Sequence, residues 1–581
     1  MTTDGAADRI VDVVVFGSGA AGLTAALTAS VHGLTVLLCE KERHIGGTTA
    51  TSGGSCWVPG NHLARAQGIV DDVDAAATYL DHEVGPDERG MRDTFLTFAA
   101  EAFEFVERHS AVEFSLPLRY PDYHPTQPGA SLGGRVLQPK PFDGRRLGRA
   151  FGLIRSPNPG QTILGGIMVN RPEAALLTRP FASWRNFTFA LGVLGRHVRD
   201  RVCHARGTRL LLGNALVAGL FHTLRERGVE VWTESPLVSL IRHGPKVRDA
   251  IVARHGERVH VHARRAIVLA TGGFTSSPGL RASIGDGFPC AWHLSTAGAT
   301  GDALATAAAV GAATGARHTA PMFFMPVSVM ATAGRKAFAF PHVIQDRARP
   351  GLIAVDAAGR RFVNEADSYH DFVMAMFESS DRRIPAYLVC DRRYLREYGL
   401  GLVRAKWQWL GWYERRGYLV SAPTIAALAD RIGVAGAGLE ASVAQHNSDA
   451  LSGVDSAFGK GSNELNRFNG DPAVMPNPCL RPIEQPPYFA IAVQPAAVGA
   501  SVGLLTDGHA RVLAQDGTPL EGLYAAGSDQ DSVMRGAYPG AGITLGPAIT
   551  FGYCAVRHAA GLADPGCERS SSFASAATIA T

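Results

Sequence analysis

Val11-Asp12-Val13-Val14-Val15-Phe16-Gly17-Ser18-Gly19-Ala20-Ala21-Gly22 is the stretch whose reading decides the fold. Its first six residues are mostly β-branched and apolar, the pattern of a strand buried on both faces. Three glycines follow at the spacing Gly-x-Gly-x-x-Gly, and the Ala/Leu-rich run from Leu23 to about His32 predicts a helix. A second strand is predicted from Leu34 to Cys39, ending at the acid Glu40. Strand, glycine turn, helix, strand and acid in that order make the dinucleotide-binding fingerprint. Gly17 makes the tight turn and Gly19 lets a pyrophosphate approach the backbone, with Ser18, Ala20 and Ala21 completing the loop. Gly22 allows helix and strand to pack closely, and Glu40 can accept hydrogen bonds from a ribose.

The residues after Glu40 choose between NAD and FAD. Lys41 leads through Gly46-Gly47 into Thr48-Thr49-Ala50-Thr51-Ser52-Gly53-Gly54. A nicotinamide enzyme has no use for this second Gly/Thr/Ser loop. FAD does, because its ribityl and ring portions need backbone donors beyond the pyrophosphate. Gly47, Thr48, Thr49, Ser52, Gly53 and Gly54 are therefore candidate contacts, and Val238, on a returning strand, joins them. Downstream, Ile267 to Phe274 reads as a buried strand ending in Ala270-Thr271-Gly272-Gly273, as in flavoproteins with two dinucleotide-binding domains. Leu523 to Asp529 is a further strand with a glycine turn, which adds Gly527 and Asp529 to the FAD contacts. The loop after Gly46-Gly47 offers no histidine for covalent attachment, so FAD is expected to be non-covalent.

Composition bounds the rest. A chain of 581 residues allows two to four domains, and a fold wound around one large cofactor can be discontinuous in sequence. The net charge of +4 comes without a basic run, which gives nucleic-acid binding no support. The eight cysteines are scattered without a CxxC, which argues for a reducing compartment and against a metal site. Met1 to Arg9 is polar, and no uncharged stretch reaches the ~20 residues that span a bilayer. The expectation is a cytoplasmic protein with at most peripheral membrane contact.

The predicted fold class is α/β: a discontinuous, Rossmann-like two-dinucleotide-binding FAD domain with an inserted α+β cap. The expected divisions are 10–285 for the first part of the FAD domain, 286–486 for the cap and 487–564 for the return. A disordered tail is expected over 565–581. Within the first part, 150–205 reads as an insertion. It is either packed on the domain surface or, being apolar and Arg-flanked, resting on a membrane that holds a lipophilic substrate. A helix is predicted from Gly207 to Gly228, a hairpin from Leu352 to Glu365, and a pocket wall from Phe323, Phe324 and Met325.

Gly536-Ala537-Tyr538-Pro539-Gly540-Ala541-Gly542 precedes an apolar helix starting near Gly546, marked by Pro547. Taken alone this is either a glycine-rich turn before a buried helix or a set of donors for an oxyanion.

The order from the first glycine turn through Ala270-Thr271-Gly272-Gly273-Phe274 and the cap resembles the fumarate reductase/succinate dehydrogenase flavoprotein superfamily. Within it, the chain is similar to the 3-ketosteroid Δ1-dehydrogenase branch over about residues 10 to 562. The specific matches are Tyr120-Pro121-Asp122-Tyr123-His124-Pro125, Asn364-Glu365 with Tyr369, and Tyr538-Pro539-Gly540-Ala541-Gly542. The resemblance implies catalytic tyrosines at Tyr123 and Tyr369, with Tyr120 close enough to exchange with Tyr123. It also implies a ketone-binding pair, the Tyr538 hydroxyl and the Gly542 N–H.

Such residues suit removal of hydrogens from C1 and C2 of a 3-keto ring. Two donors stabilise the developing enolate, a neighbouring phenol supports a tyrosine base, and N–H groups around Leu545 face the flavin. Thr126 and Ser528 depart from the family pattern. Two other readings stand beside this one: a fumarate-reductase-like enzyme or dehydrogenase of another cyclic ketone, and a non-enzymatic electron-transfer subunit. The implied partners are a lipophilic small molecule and an external electron acceptor.

Overall fold

In the computed structural model, Val11–Phe16 lies within a strand, Arg9–Phe16, at the centre of the larger of two sheets. The structure describes residues 8–562 apart from 88, 164–165, 171–172, 174–175, 178–179, 317, 333–334 and 407–408. The expected tail lies outside the described residues.

The larger sheet has eight strands. Its main path runs Glu230–Trp232, Val36–Cys39, Arg9–Phe16, Glu257–Leu269, Lys246–Arg254, Pro519–Ala525, Arg511–Leu513, and Leu237–His243 pairs with Lys246–Arg254. Five of these strands are parallel, and their last residues are in register: Phe16 pairs with Cys39 and Leu269, Cys39 with Trp232, and Leu269 with Ala525. Their carboxyl ends thus form one edge, where the turns at Gly17, Glu40, Thr271 and Gly527 emerge. Open parallel sheets bind ligands at such an edge.

Helices Ala20–Val31 and Leu545–Ala560 cross closely over one face. A Cβ at Gly552 would lie 2.5 Å from the Ala21 carbonyl oxygen, and one at Gly22 would lie 1.9 Å from that of Gly17. Both contacts need the missing side chain.

The second sheet has seven strands, built around the 13-residue strand Tyr488–Ala500. Met322–Thr332 and Ala386–Asp391 flank it, and Arg335–Pro341 and Leu352–Val355 lie outside them. Tyr488–Ala500 falls after residue 486, where the sequence reading begins the return to the FAD domain. Its pairing belongs to the second sheet, where it is buried over most of its length between Met322–Thr332 and Ala386–Asp391. We therefore place the return after Ala500.

Of the hairpin expected over Leu352–Glu365 only the tight turn forms: Val355 and Arg361 make an isolated antiparallel bridge, and the Asp356 N–H donates to the Arg360 carbonyl at 3.0 Å. Leu352–Val355 pairs with Ala386–Asp391, and Asn364 and Glu365 turn into a buried polar network instead of a second strand. The helix expected from Gly207 to Gly228 is Leu212–Glu226; Arg209–Leu210 pairs with Phe142–Asp143 before it begins.

Candidate active site

A cavity of about 630 Å³ runs from Glu40 along the glycine turns to a cluster of tyrosines under the second sheet. Its first half fits FAD. A Cβ at Gly19 would have one neighbour, Thr49 Oγ1 at 3.6 Å, and one at Gly53 would meet nothing within 4 Å. Any side chain at either position would occupy the room a cofactor needs. Gly17, with φ +105°, admits no Cβ either, since the Ala270 carbonyl oxygen would lie 2.1 Å away. The loop is braced by its own side chains: the Ala20 N–H donates to Thr49 Oγ1 at 3.0 Å, and the Thr296 N–H donates to Thr48 Oγ1 at 3.2 Å.

Glu40 is buried, and its carboxylate accepts from the Ser18 N–H at 3.0 Å and the Glu42 N–H at 2.9 Å. Burial pushes its pKa up, partly offset by the Ser18 hydrogen bonds. Lys41 pairs with Asp302 at 2.8 Å.

Gly17, Ser18, Gly19, Ala20, Ala21, Gly47, Thr48, Thr49, Ser52, Gly53 and Gly54 all line the cavity. So do Ala270, Thr271, Gly272, Gly527 and Leu545. Three of the expected residues do not line the cavity, Gly22 among them in the packing role expected of it. Gly22 packs against the strand, and Val238 is 37% exposed while its neighbour Leu237 lines the cavity. Asp529 staples a turn, accepting from the Gly273 N–H at 2.8 Å and the Thr271 hydroxyl at 3.0 Å. The Leu545 and Gly546 N–H groups both donate to the Gly542 carbonyl, at 3.1 and 2.9 Å, which corrects their expected role as donors to the flavin.

Of the three apolar wall residues, Met325 lines the cavity. Strand alternation sends Phe324 to the opposite face, stacked on His370 with centroids 5.8 Å apart. Phe323 stands behind Tyr538, edge-on at 5.5 Å.

Tyr123, Tyr369 and Tyr538 meet at the far end. Ring centroids lie 5.6 Å apart for Tyr123–Tyr369, 5.8 Å for Tyr123–Tyr538 and 5.0 Å for Tyr369–Tyr538. Tyr120 also lines the cavity, but its ring packs on Phe468 at 5.4 Å. Burial pushes the phenols of Tyr123 and Tyr369 well above the usual range, and that of Tyr538 up to about 12. Hydrogen bonding to Tyr369 eases ionisation of Tyr123 and Tyr538 while holding the Tyr369 proton in place. Among the described residues the Gly542 N–H meets no protein acceptor, and Gly542 lines the cavity. With φ +92°, and a would-be Cβ 2.3 Å from the Ser55 carbonyl oxygen, this position requires glycine.

Each tyrosine sits on a braced support that the sequence reading missed. Beside Tyr123, the buried Asp122 accepts from Trp57 Nε1, Arg135 and the Ser131 N–H at 2.8, 2.8 and 2.9 Å. The Tyr123 N–H and the Tyr79 hydroxyl both donate to the Pro539 carbonyl, at 2.8 and 2.7 Å, tying two tyrosine segments together. Ahead of Tyr369, the buried Arg347 donates to the carbonyls of Glu365 and Asp367 at 2.7 and 3.2 Å. Glu365, fully buried, accepts from Arg361 at 2.8 and 2.9 Å and faces Lys460 at 3.4 Å. Asp122 and Glu365 were visible in the quoted motifs, but spacing alone does not reveal their partners.

The insertion contributes a wall: Asn158, Gly160, Gln161 and Asn170 line the cavity, and Gln161 Nε2 donates to the Ser52 carbonyl at 3.0 Å.

A family model described as an FAD binding domain matches residues 12–545. The chain is 36% identical to a 4-oxocyclohex-2-ene-1-carboxylate 5-dehydrogenase of Sinomonas cyclohexanicum, over 95% of this chain and 94% of that one. It is 34% identical to a 3-oxosteroid 1-dehydrogenase of Mycobacterium tuberculosis, over 94% of this chain and 98% of the relative. Among solved structures, it resembles a 3-ketosteroid delta1-dehydrogenase from Sterolibacterium denitrificans in complex with 1,4-androstadiene-3,17-dione. There the TM-score is 0.88 and the identity 36%, covering 95% of this chain and 100% of the other.

Proposed function

The chain belongs to the FAD-binding flavoprotein family, in the branch of the 3-oxosteroid 1-dehydrogenases, and on that premise we propose that it removes the C1 and C2 hydrogens of a 3-ketosteroid. The observation that carries this reading is the meeting of three buried phenols in the cofactor cavity that Gly542 also lines, its N–H without a protein acceptor among the described residues.

In this reading the Tyr538 hydroxyl and the Gly542 N–H donate to the ketone oxygen as negative charge develops there. One such donor is worth roughly 3 kcal/mol. That polarisation acidifies C2, and Tyr369 takes the C2 proton on its phenolic oxygen. Tyr369 does this as a phenolate, with the Tyr123 hydroxyl donating a hydrogen bond to its oxygen in that state. FAD, once bound in the cradle, supplies the acceptor for the hydride that leaves C1. The cradle of glycines, hydroxyls and backbone groups holds it without a covalent bond. Reoxidation falls to an external electron acceptor.

A cyclohexenone carboxylate, the substrate class in the name of the Sinomonas relative, is the second reading. Its carboxylate calls for a cation near the ketone end. Among the described lining residues the charged ones are Glu40, Lys41, Glu42 and Asp302, with Lys41 paired to Asp302 beside Glu40. Met325, Val343, Ile344 and Leu465 line the cavity too, and this apolar character favours a steroid. A fumarate-like dicarboxylate is disfavoured on the same ground. Product analysis decides between them: the steroid reading requires a 1,4-diene-3-ketone from a 4-ene-3-ketone.

A lipophilic substrate also suits the insertion. Phe181, Trp184, Leu191, Val198 and Val202, on and just before helix Trp184–Cys203, are 60–86% exposed, beside exposed Arg185, Arg199 and Arg201. The helix's one acid, Asp200, is buried against Thr208. We read this face as a seat on an anionic lipid surface. No described helix is long and apolar enough to cross a membrane.

A further inference from the structure

His124, next to Tyr123, lies between two carboxylates. Its Nδ1 is 2.5 Å from Glu83 Oε2 and its Nε2 is 2.7 Å from Asp371 Oδ2. Glu83 is on helix Val73–Val84, which packs on helix Met91–His109, and that helix packs in turn on helices Ala20–Val31 and Leu545–Ala560 over the larger sheet. Asp371 is the third residue of helix Tyr369–Phe377, which begins with Tyr369 and packs on the second sheet. The bridge therefore joins the two halves that each bring one of the paired tyrosines.

The geometry fixes the ionic state. A carboxylate facing a ring nitrogen at such a distance accepts a proton, and neutral imidazole has one N–H to give. Both contacts are satisfied together by the imidazolium. The surrounding groups agree. His370, adjacent to Asp371, is pushed down to about 4 by burial and is neutral, and Tyr79 accepts from the His124 N–H at 3.2 Å. Asp367 and Arg347 are further charges near Asp371.

We propose that His124, as an imidazolium held by Glu83 and Asp371, is the positioning residue that keeps the Tyr369 helix against the Tyr123 loop, and that its deprotonation sets the alkaline limit of turnover. This rests on the catalytic reading of the two tyrosines. Burial alone lowers the His124 pKa, but the hydrogen bonds and charges of Asp371 and Glu83 raise it to about 10. Because the folded value is raised, the clamp's stabilisation is full below about 6.5, the unfolded value, and is lost as pH rises through about 10.

The test uses the FAD-loaded full chain and the variants Asp371→Asn and His124→Gln. Asp371→Asn removes one anion and can satisfy a neutral imidazole. Its alkaline limb of kcat should move at least about one pH unit lower, a roughly tenfold deficit against wild type at the old limb, with FAD content unchanged. His124→Gln should lack a titrating limb near pH 10. The thermal melting temperature supplies an activity-independent arm: the gap between wild type and His124→Gln should close as pH rises from 8 to about 10.5. An unmoved limb in Asp371→Asn, or a melting gap constant across that range, overturns the proposal. If wild type dehydrogenates no ketone, the catalytic reading fails, and the melting arm still decides the clamp. Should Asp371→Asn not fold, Glu83→Gln takes its place with the same expected shift.

Discussion

The phenol rings of Tyr369 and Tyr538 cross at 71° with centroids 5.0 Å apart, and they come from segments 169 positions apart in the chain. In the proposed reaction this contact sets Tyr369, as proton acceptor, and Tyr538, as oxyanion donor, beside one small ring, which is what 1,2-dehydrogenation of a cyclic ketone requires.

Tyr369→Phe removes the proton acceptor and keeps the ring packing. Turnover should fall by about 10²–10⁴-fold, the usual worth of a positioned acid or base, while FAD absorbance and steroid binding persist. Unchanged turnover would remove Tyr369 from the chemistry.

Tyr538→Phe deletes one ketone donor and leaves the Gly542 N–H. The expected loss is about 10²–10³ in kcat, with a smaller change in steroid affinity, because the interaction strengthens as charge develops on the ketone oxygen. A loss confined to KM would instead assign Tyr538 to ground-state binding.

Glu365 supports the Tyr369 segment from a distance. Burial opposes its ionisation, but the charges of Arg361 and Lys460 hold its pKa at about 2. A depressed carboxylate contributes stability above about pH 4.3 and loses it as pH falls through about 2. Glu365→Gln leaves Lys460 buried beside a neutral amide, at a cost of about 3–5 kcal/mol. The melting-temperature gap to wild type should be level from pH 5 to 8 and narrow in acid; a gap that widens in acid would contradict this.

The exposed face of helix Trp184–Cys203 offers a check that is independent of the chemistry. Wild type should co-sediment with phosphatidylcholine/phosphatidylglycerol vesicles, less with phosphatidylcholine alone, and Trp184→Ser with Leu191→Ser should release it. Equal recovery of both proteins without vesicles would leave the face unassigned to lipid.

The cradle was legible in the sequence because a close backbone approach demands glycine, and glycines at fixed spacing are visible without a structure. Gly17 at the tight turn and Gly22 in the helix–strand contact stand as expected for that reason. The tyrosines were found by motif, not by periodicity, since nothing in a sequence says which of its phenols share a cavity. Phe324 and Asp529 were misplaced because a strand's facing and a turn's internal hydrogen bonds depend on partners more than a hundred residues away. The return was set at residue 487, ahead of Tyr488–Ala500, because a buried apolar strand reads alike in either sheet. His124, Asp122 and Arg347 carried no signal of their own: a polar side chain acquires meaning through its partners.

The most direct test is anaerobic mixing of the FAD-loaded protein with a 3-keto-4-ene steroid, followed at the flavin absorbance, beside 4-oxocyclohexanecarboxylate and fumarate. The account predicts that the steroid bleaches the flavin and yields the 1,4-diene-3-ketone, while the carboxylates leave the absorbance unchanged or respond far more slowly. Bleaching by the oxocyclohexane carboxylate with none by any of several steroids would contradict it.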